Sequence, residues 1–79
     1  TNSCQLLEGS NVTFKNGTLK SDNNKIMIQN YCNLTLDNMT VEDTNAQYVV
    51  SNNCGNISIN NTTINAGSNA NQFAFDVCG

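Results

Sequence analysis

The chain has 79 residues, a formal net charge of −3, and 11% charged residues against roughly 25% in a typical globular domain. It contains no His, Arg, Trp or Pro, whereas Asn fills 17 of its 79 positions. A net negative chain whose only cations are Lys15, Lys20 and Lys25 lacks the cationic patch that phosphate contacts require, so nucleic acid is not an expected partner. No apolar run approaches the ~18 residues of a membrane span, and no signal-peptide pattern is present, so a mature or trimmed soluble chain without membrane insertion is expected. The length allows one domain, residues 1–79, with a core too small to be strongly stable by itself.

Residues 1–10 continue a repeat that becomes clear further along. Subtracting its first period of 22 from Ile26 and Ile28 lands on Cys4 and Leu6, so this segment reads as the last strand of a half coil. Then come three alignable segments: Asn11-Val-Thr-Phe-Lys-Asn16-Gly-Thr-Leu19, Asn33-Leu-Thr-Leu-Asp-Asn38-Met-Thr-Val41 and Asn56-Ile-Ser-Ile-Asn-Asn61-Thr-Thr-Ile64. After a polar loop, each continues into a second alternating run, Ile26-Met-Ile28, Tyr48-Val-Val50 and Phe73-Ala-Phe75, and then reaches Cys32, Cys54 or Cys78. The units are therefore 11–32, 33–55 and 56–79, 22–25 residues each, with length changes confined to loops. Apolar residues at spacing two, rich in β-branched and aromatic types, predict strands, and no helical stripe of useful length occurs. The units are too short for strand-helix-strand crossovers.

Strand spacing of about 4.8 Å turns equivalent positions into columns. Val12, Leu34 and Ile57 form one inward column, Phe14, Leu36 and Ile59 a second, and Leu19, Val41 and Ile64 a third. Ile26, Tyr48 and Phe73 line the remaining wall with Ile28, Val50 and Phe75. Asn16, Asn38 and Asn61 fall at a bend, where Asn accepts a left-handed backbone and its amide can bond to the Asn above and below. Lys15 lies over Asp37, and Lys20 over Glu42.

These N-h-(T/S)-h-x-N-x-T-h units, with h apolar, resemble the coils of a right-handed parallel β-helix, the pectin-lyase-like solenoids. The resemblance spans nearly the whole chain. It implies an all-β fold of about three and a half coils and leaves the activity open, since that architecture hosts lyases, adhesins, epimerases and passive spacers. Its catalytic members use clustered acidic residues and commonly an Arg or Lys base. Here Arg is absent, the three lysines fall in the first coil, and the absence of His removes the usual base and nucleophile pairings. The chain is not expected to be an enzyme, with a polysaccharide-active fragment as a minor alternative. No catalytic residue, metal site or cofactor is expected.

Cys4, Cys32, Cys54 and Cys78 form an even set with no close pair, which favours disulfides in an oxidising compartment over zinc. Each would contribute on the order of 3 kcal/mol by closing a loop of this size. Of three connectivities, Cys4–Cys32 with Cys54–Cys78 closes about one coil each; a Cys32–Cys54 bond or an intermolecular Cys78–Cys4 link are alternatives. Seven N-x-S/T sequons, at Asn11, Asn16, Asn33, Asn38, Asn56, Asn60 and Asn61, are candidate glycosylation sites of a secreted protein, although the repeat by itself generates them. Thr13, Thr35 and Ser58 share an outward face with the Asn column and make a candidate ice-binding or carbohydrate-adhesive ladder. Tyr31 and Tyr48 fall in different columns, which suits packing better than a sugar platform. The aromatic end, with Phe73, Phe75 and Val77, carries no polar cap and is the candidate self-assembly end. Either the chain is a fragment of a longer solenoid or its ends meet other copies. The expectation is a structural subunit of an extracellular or cell-surface filament, a head-to-tail homopolymer that could also carry covalent glycans.

Overall fold

The computed structural model describes residues 1–68 and the backbone of residues 73–78. Within that range the chain forms eight strands and no helix: β1 (Cys4–Leu6), β2 (Asn11–Lys20), β3 (Ile26–Asn30), β4 (Asn33–Asp43), β5 (Tyr48–Asn53), β6 (Asn56–Asn60), β7 (Thr63–Ala66) and β8 (Phe73–Cys78). Every pairing is parallel. One sheet runs β1-β3-β5-β8 and the other β2-β4-β6, with β7 also paired to β4. The fold is all-β, built from parallel sheets that do not close into a barrel. Parallel partners have to lie a whole repeat apart, since a tight hairpin joins only antiparallel strands.

β2 and β4 each run through an Asn with positive φ, Asn16 at 62° and Asn38 at 54°; in the third repeat Asn61, at 46°, separates β6 from β7. A left-handed residue turns the strand without ending its ladder, and Asn is the non-glycine residue that best accepts this conformation. Each of these strands therefore supplies two walls, and the apolar positions before and after the bend both face inward.

The register agrees with the expected columns over most of the chain. Val12 pairs with Leu34 and Leu34 with Ile57, Phe14 with Leu36 and Leu36 with Ile59, and Leu19 with Val41 and Val41 with Ile64. On the other sheet Ile26, Tyr48 and Phe73 are in register, as are Ile28, Val50 and Phe75. The middle repeat is sandwiched on both sides, so Leu34, Leu36, Val41, Val49 and Val50 are fully buried, while Val12, Phe14, Leu19, Ile57 and Ile64 are partly buried against them. Each fully buried side chain of this kind contributes about 1.5–3 kcal/mol.

Two expectations need correction. β1 sits two residues further along than the 22-residue period implies: Cys4 pairs with Ile28 and Leu6 with Asn30. Between Leu6 and Asn11 the chain uses residues 7–10, whereas Asn30 and Asn33 are joined by two residues. The extra pair bulges outward, leaving Leu7 63% exposed, with Gly9 at φ 87°. A two-residue slip keeps the inward phase, so the hydrophobic pattern cannot distinguish the two registers. The second correction concerns Met27 and Val49. The alternating pattern places them outward, yet both are buried in the same cluster as Ile28 and Val50. The ladder between β3 and β5 skips that step, so strict alternation does not hold there.

Among the described residues four polar ones are buried: Asn30, Asp43, Ser51 and Asn52. The Asn30 amide donates to the Cys32 carbonyl at 3.0 Å and to Asn52 Oδ1 at 2.9 Å, while its Oδ1 accepts from the Cys32 N–H at 3.3 Å. Asn52 in turn donates to the Gly55 carbonyl at 2.9 Å. Asp43 accepts from the Asn23 N–H with one oxygen and from the Asn45 N–H with the other, each at 2.9 Å. A buried polar group without such partners would be costly. Gly55, the residue inserted in the second repeat, passes over this cluster so closely that a Cβ would lie 2.6 Å from the Cys32 carbonyl oxygen.

Candidate functional site: asparagine and threonine ladders

The repeat converts seven expected sequon positions into two hydrogen-bonded columns and one separate residue. In the first column Asn33 donates from Nδ2 to Asn11 Oδ1 at 3.0 Å, and Asn56 to Asn33 Oδ1 at 2.8 Å. In the second, at the bend, Asn38 donates to Asn16 Oδ1 at 3.1 Å and Asn61 to Asn38 Oδ1 at 2.9 Å. All six are exposed. Asn60 stands outside both columns; its carbonyl accepts from the Thr62 hydroxyl at 2.8 Å. Both columns point the same way. Among the described residues, Asn11 and Asn16 have unused amide donors at the β2 edge, and Asn56 and Asn61 have unused oxygens at the β6–β7 edge.

Between the Asn columns, Thr13 is in register with Thr35 and Thr35 with Ser58, on the outward face. A second hydroxyl column lies beyond the bend, where Thr18 pairs with Thr40 and Thr40 with Thr63. The repeat pattern carries a T at each of these positions, and the register stacks them into a column of their own. Charged positions also stack. Lys15 is in register with Asp37 and Lys20 with Glu42, but among the described residues only Lys20 and Glu42 form a salt bridge, at 3.3 Å. Such exposed pairs contribute about 0–1 kcal/mol.

Cys4 and Cys32, the expected disulfide pair, carry free thiols in this structure. Cys32 is buried with its Sγ directed at Asn30 Oδ1, 3.1 Å away, which turns it into the polar cluster. Burial, and after it the neighbouring Cys32, raises the Cys4 thiol above its ordinary value. Cys54 is exposed and has a left-handed backbone, φ 62°. The backbone of Cys78 pairs with Asn53, one step off the column of Cys32 and Cys54, while its side chain, like those of Phe73, Phe75 and Val77, lies outside the described residues. No group of three or more His, Cys, Asp or Glu capable of holding a metal occurs among the described residues.

Two hollows flank the columns. One, of about 250 Å³, opens at the β1–β2 edge against Cys4, Phe14, Leu19, Met27 and Ile28. The other, of about 430 Å³, is a shallow cleft against Gln5, Leu7, Glu8 and Tyr31. Tyr31 and Tyr48 stand apart: Tyr48 is on β5, in register with Ile26, and Tyr31 follows β3 with its N–H donating to the Leu6 carbonyl at 2.8 Å. No helix among the described residues is long and apolar enough to cross a membrane. No family model, curated protein or solved structure matches this chain.

Proposed function

We propose that the chain winds as a right-handed parallel β-helix of about three and a half coils, similar to the pectin-lyase-like solenoids, and serves as a structural subunit of an extracellular filament. Copies stack head to tail, and the reading assigns no catalytic role. The observation that carries it is the polarity of the β2 and β6–β7 edges among the described residues. At the β2 edge, Val12, Phe14 and Leu19 are only partly covered, an apolar hollow opens beside them, and the amide columns end in donors. At the β6 edge Ile59 is 41% exposed and the columns end in acceptors. Each edge complements the other rather than itself, which favours a heterologous contact that propagates over a closed two-fold dimer. The expected outcome is concentration-dependent polymerisation in sedimentation velocity, with unbranched fibres in negative stain. A stable monomer at high concentration would overturn the proposal.

A second reading is favoured by the register of Thr13, Thr35 and Ser58: an outward hydroxyl face used for ice or carbohydrate binding. Replacing Thr13 and Thr35 by Lys discriminates the two. Loss of thermal hysteresis or glycan retention with polymerisation intact supports the second reading. The absence of either activity in the unmodified chain removes it.

A further inference from the structure

The three bend asparagines share a left-handed backbone and one column, yet they differ in the chemistry open to them. Asn16 is followed by Gly17, the one Asn–Gly step in the chain; Asn38 is followed by Met39 and Asn61 by Thr62. Asn16 and Gly17 are both exposed, and a Cβ at Gly17 would meet nothing within 4 Å. Asn16 Oδ1 accepts the amide of Asn38 at 3.1 Å, which draws electron density from its Cγ. Its own Nδ2 has no partner among the described residues, so loss of that nitrogen breaks no ladder bond. At Asn38 and Asn61 the same nitrogen is the ladder donor. The following N–H differs as well: that of Met39 donates to the Thr62 hydroxyl at 3.3 Å, whereas the residue in register with Gly17 is Met39, which has no hydroxyl to offer.

We propose that Asn16 is a site of spontaneous deamidation in the folded protein, with Asn38 and Asn61 protected. The Gly17 nitrogen gives its proton to water or hydroxide and forms a bond to Asn16 Cγ. The Cγ–Nδ2 bond breaks, and Nδ2 leaves as ammonia. The resulting succinimide is opened by water at one of its two carbonyls, giving aspartate or isoaspartate. The net change is one amide and one water converted to a carboxylate and ammonium, adding one negative charge to the chain's −3. Aspartate retains an acceptor for the Asn38 amide, now charge-assisted. Isoaspartate adds a main-chain atom at the bend and shifts the register of everything beyond it.

The test uses unglycosylated, folded full-length chain held in mildly alkaline buffer and mapped by peptide mass and isoaspartate assay. Conversion at Asn16 is expected to run about tenfold or more ahead of Asn38 and Asn61, because a nucleophile flanked by no Cβ closes the ring most readily. Gly17→Ala, which the open space accommodates, is expected to slow it by a similar factor with the melting temperature unchanged. Equal rates at Asn38 or Asn61, no slowing in Gly17→Ala, or conversion only after denaturation would each overturn the proposal. The proposal is independent of whether the chain polymerises.

Discussion

Asn38 contributes in two separable ways, through its backbone and through its amide. Its φ of 54° costs most other L-residues roughly 1–2 kcal/mol, and its amide both donates to Asn16 and accepts from Asn61. Asn38→Ala loses both contributions, for an expected destabilisation of about 2 kcal/mol in chemical denaturation. Asn38→Gly restores the backbone freedom and is expected to recover about half of that; equal loss in the two variants would show that the ladder alone matters. Cys4 makes a different prediction. Burial and the adjacent Cys32 hold its thiol in the protonated form, so the folded chain keeps a proton that the unfolded chain releases sooner. Stability contributed by this group is complete below the ordinary thiol value. It declines as pH rises past that value, and levels off once the raised folded-state value is exceeded. The difference in melting temperature between the native chain and Cys4→Ala should therefore change with pH only on the alkaline side. A difference that is flat across that range would contradict the assigned environment.

At the scale of elements, buried polar side chains tie the connections to one another. Asp43 ends β4 fully buried and ties the loop after β2 to the loop after β4 through the Asn23 and Asn45 N–H groups. Asn30 does the same at the turn after β3, where Gly55 crosses it. Gly55→Ala forces a methyl to within 2.6 Å of a backbone oxygen and 2.9 Å of a backbone carbon, neither of which is at the end of a flexible side chain. The expected cost is about 1–3 kcal/mol, measured by denaturant midpoint. Gly17→Ala, with nothing within 4 Å, is the matched control and is expected to be near neutral. If the two variants were equally stable, the close approach at Gly55 would be wrong.

For the whole molecule, the strand spacing sets what a proposed fibre should show. If successive copies continue one hydrogen-bond ladder, the strands lie across the fibre axis at about 4.8 Å. Fibre diffraction should return that spacing along the axis. Fibres without it would overturn the continuous ladder without overturning assembly itself.

The apolar columns, the bend asparagines and the Lys20–Glu42 pairing were legible in the residue order, because a period-two pattern repeated at fixed length leaves a single way to align the central strands. The position of β1 was not legible, since a slip of two residues preserves the inward face. Nor was the burial of Met27 and Val49, which depends on a skipped step in the ladder. The free thiols of Cys4 and Cys32 followed from a turn that points Cys32 at Asn30, and the direction of the amide columns from which nitrogen meets which oxygen across repeats. Periodicity records which residues share a face. The paths of the connections, and the partner each buried polar atom finds, are decided only when segments a full repeat apart are brought into contact.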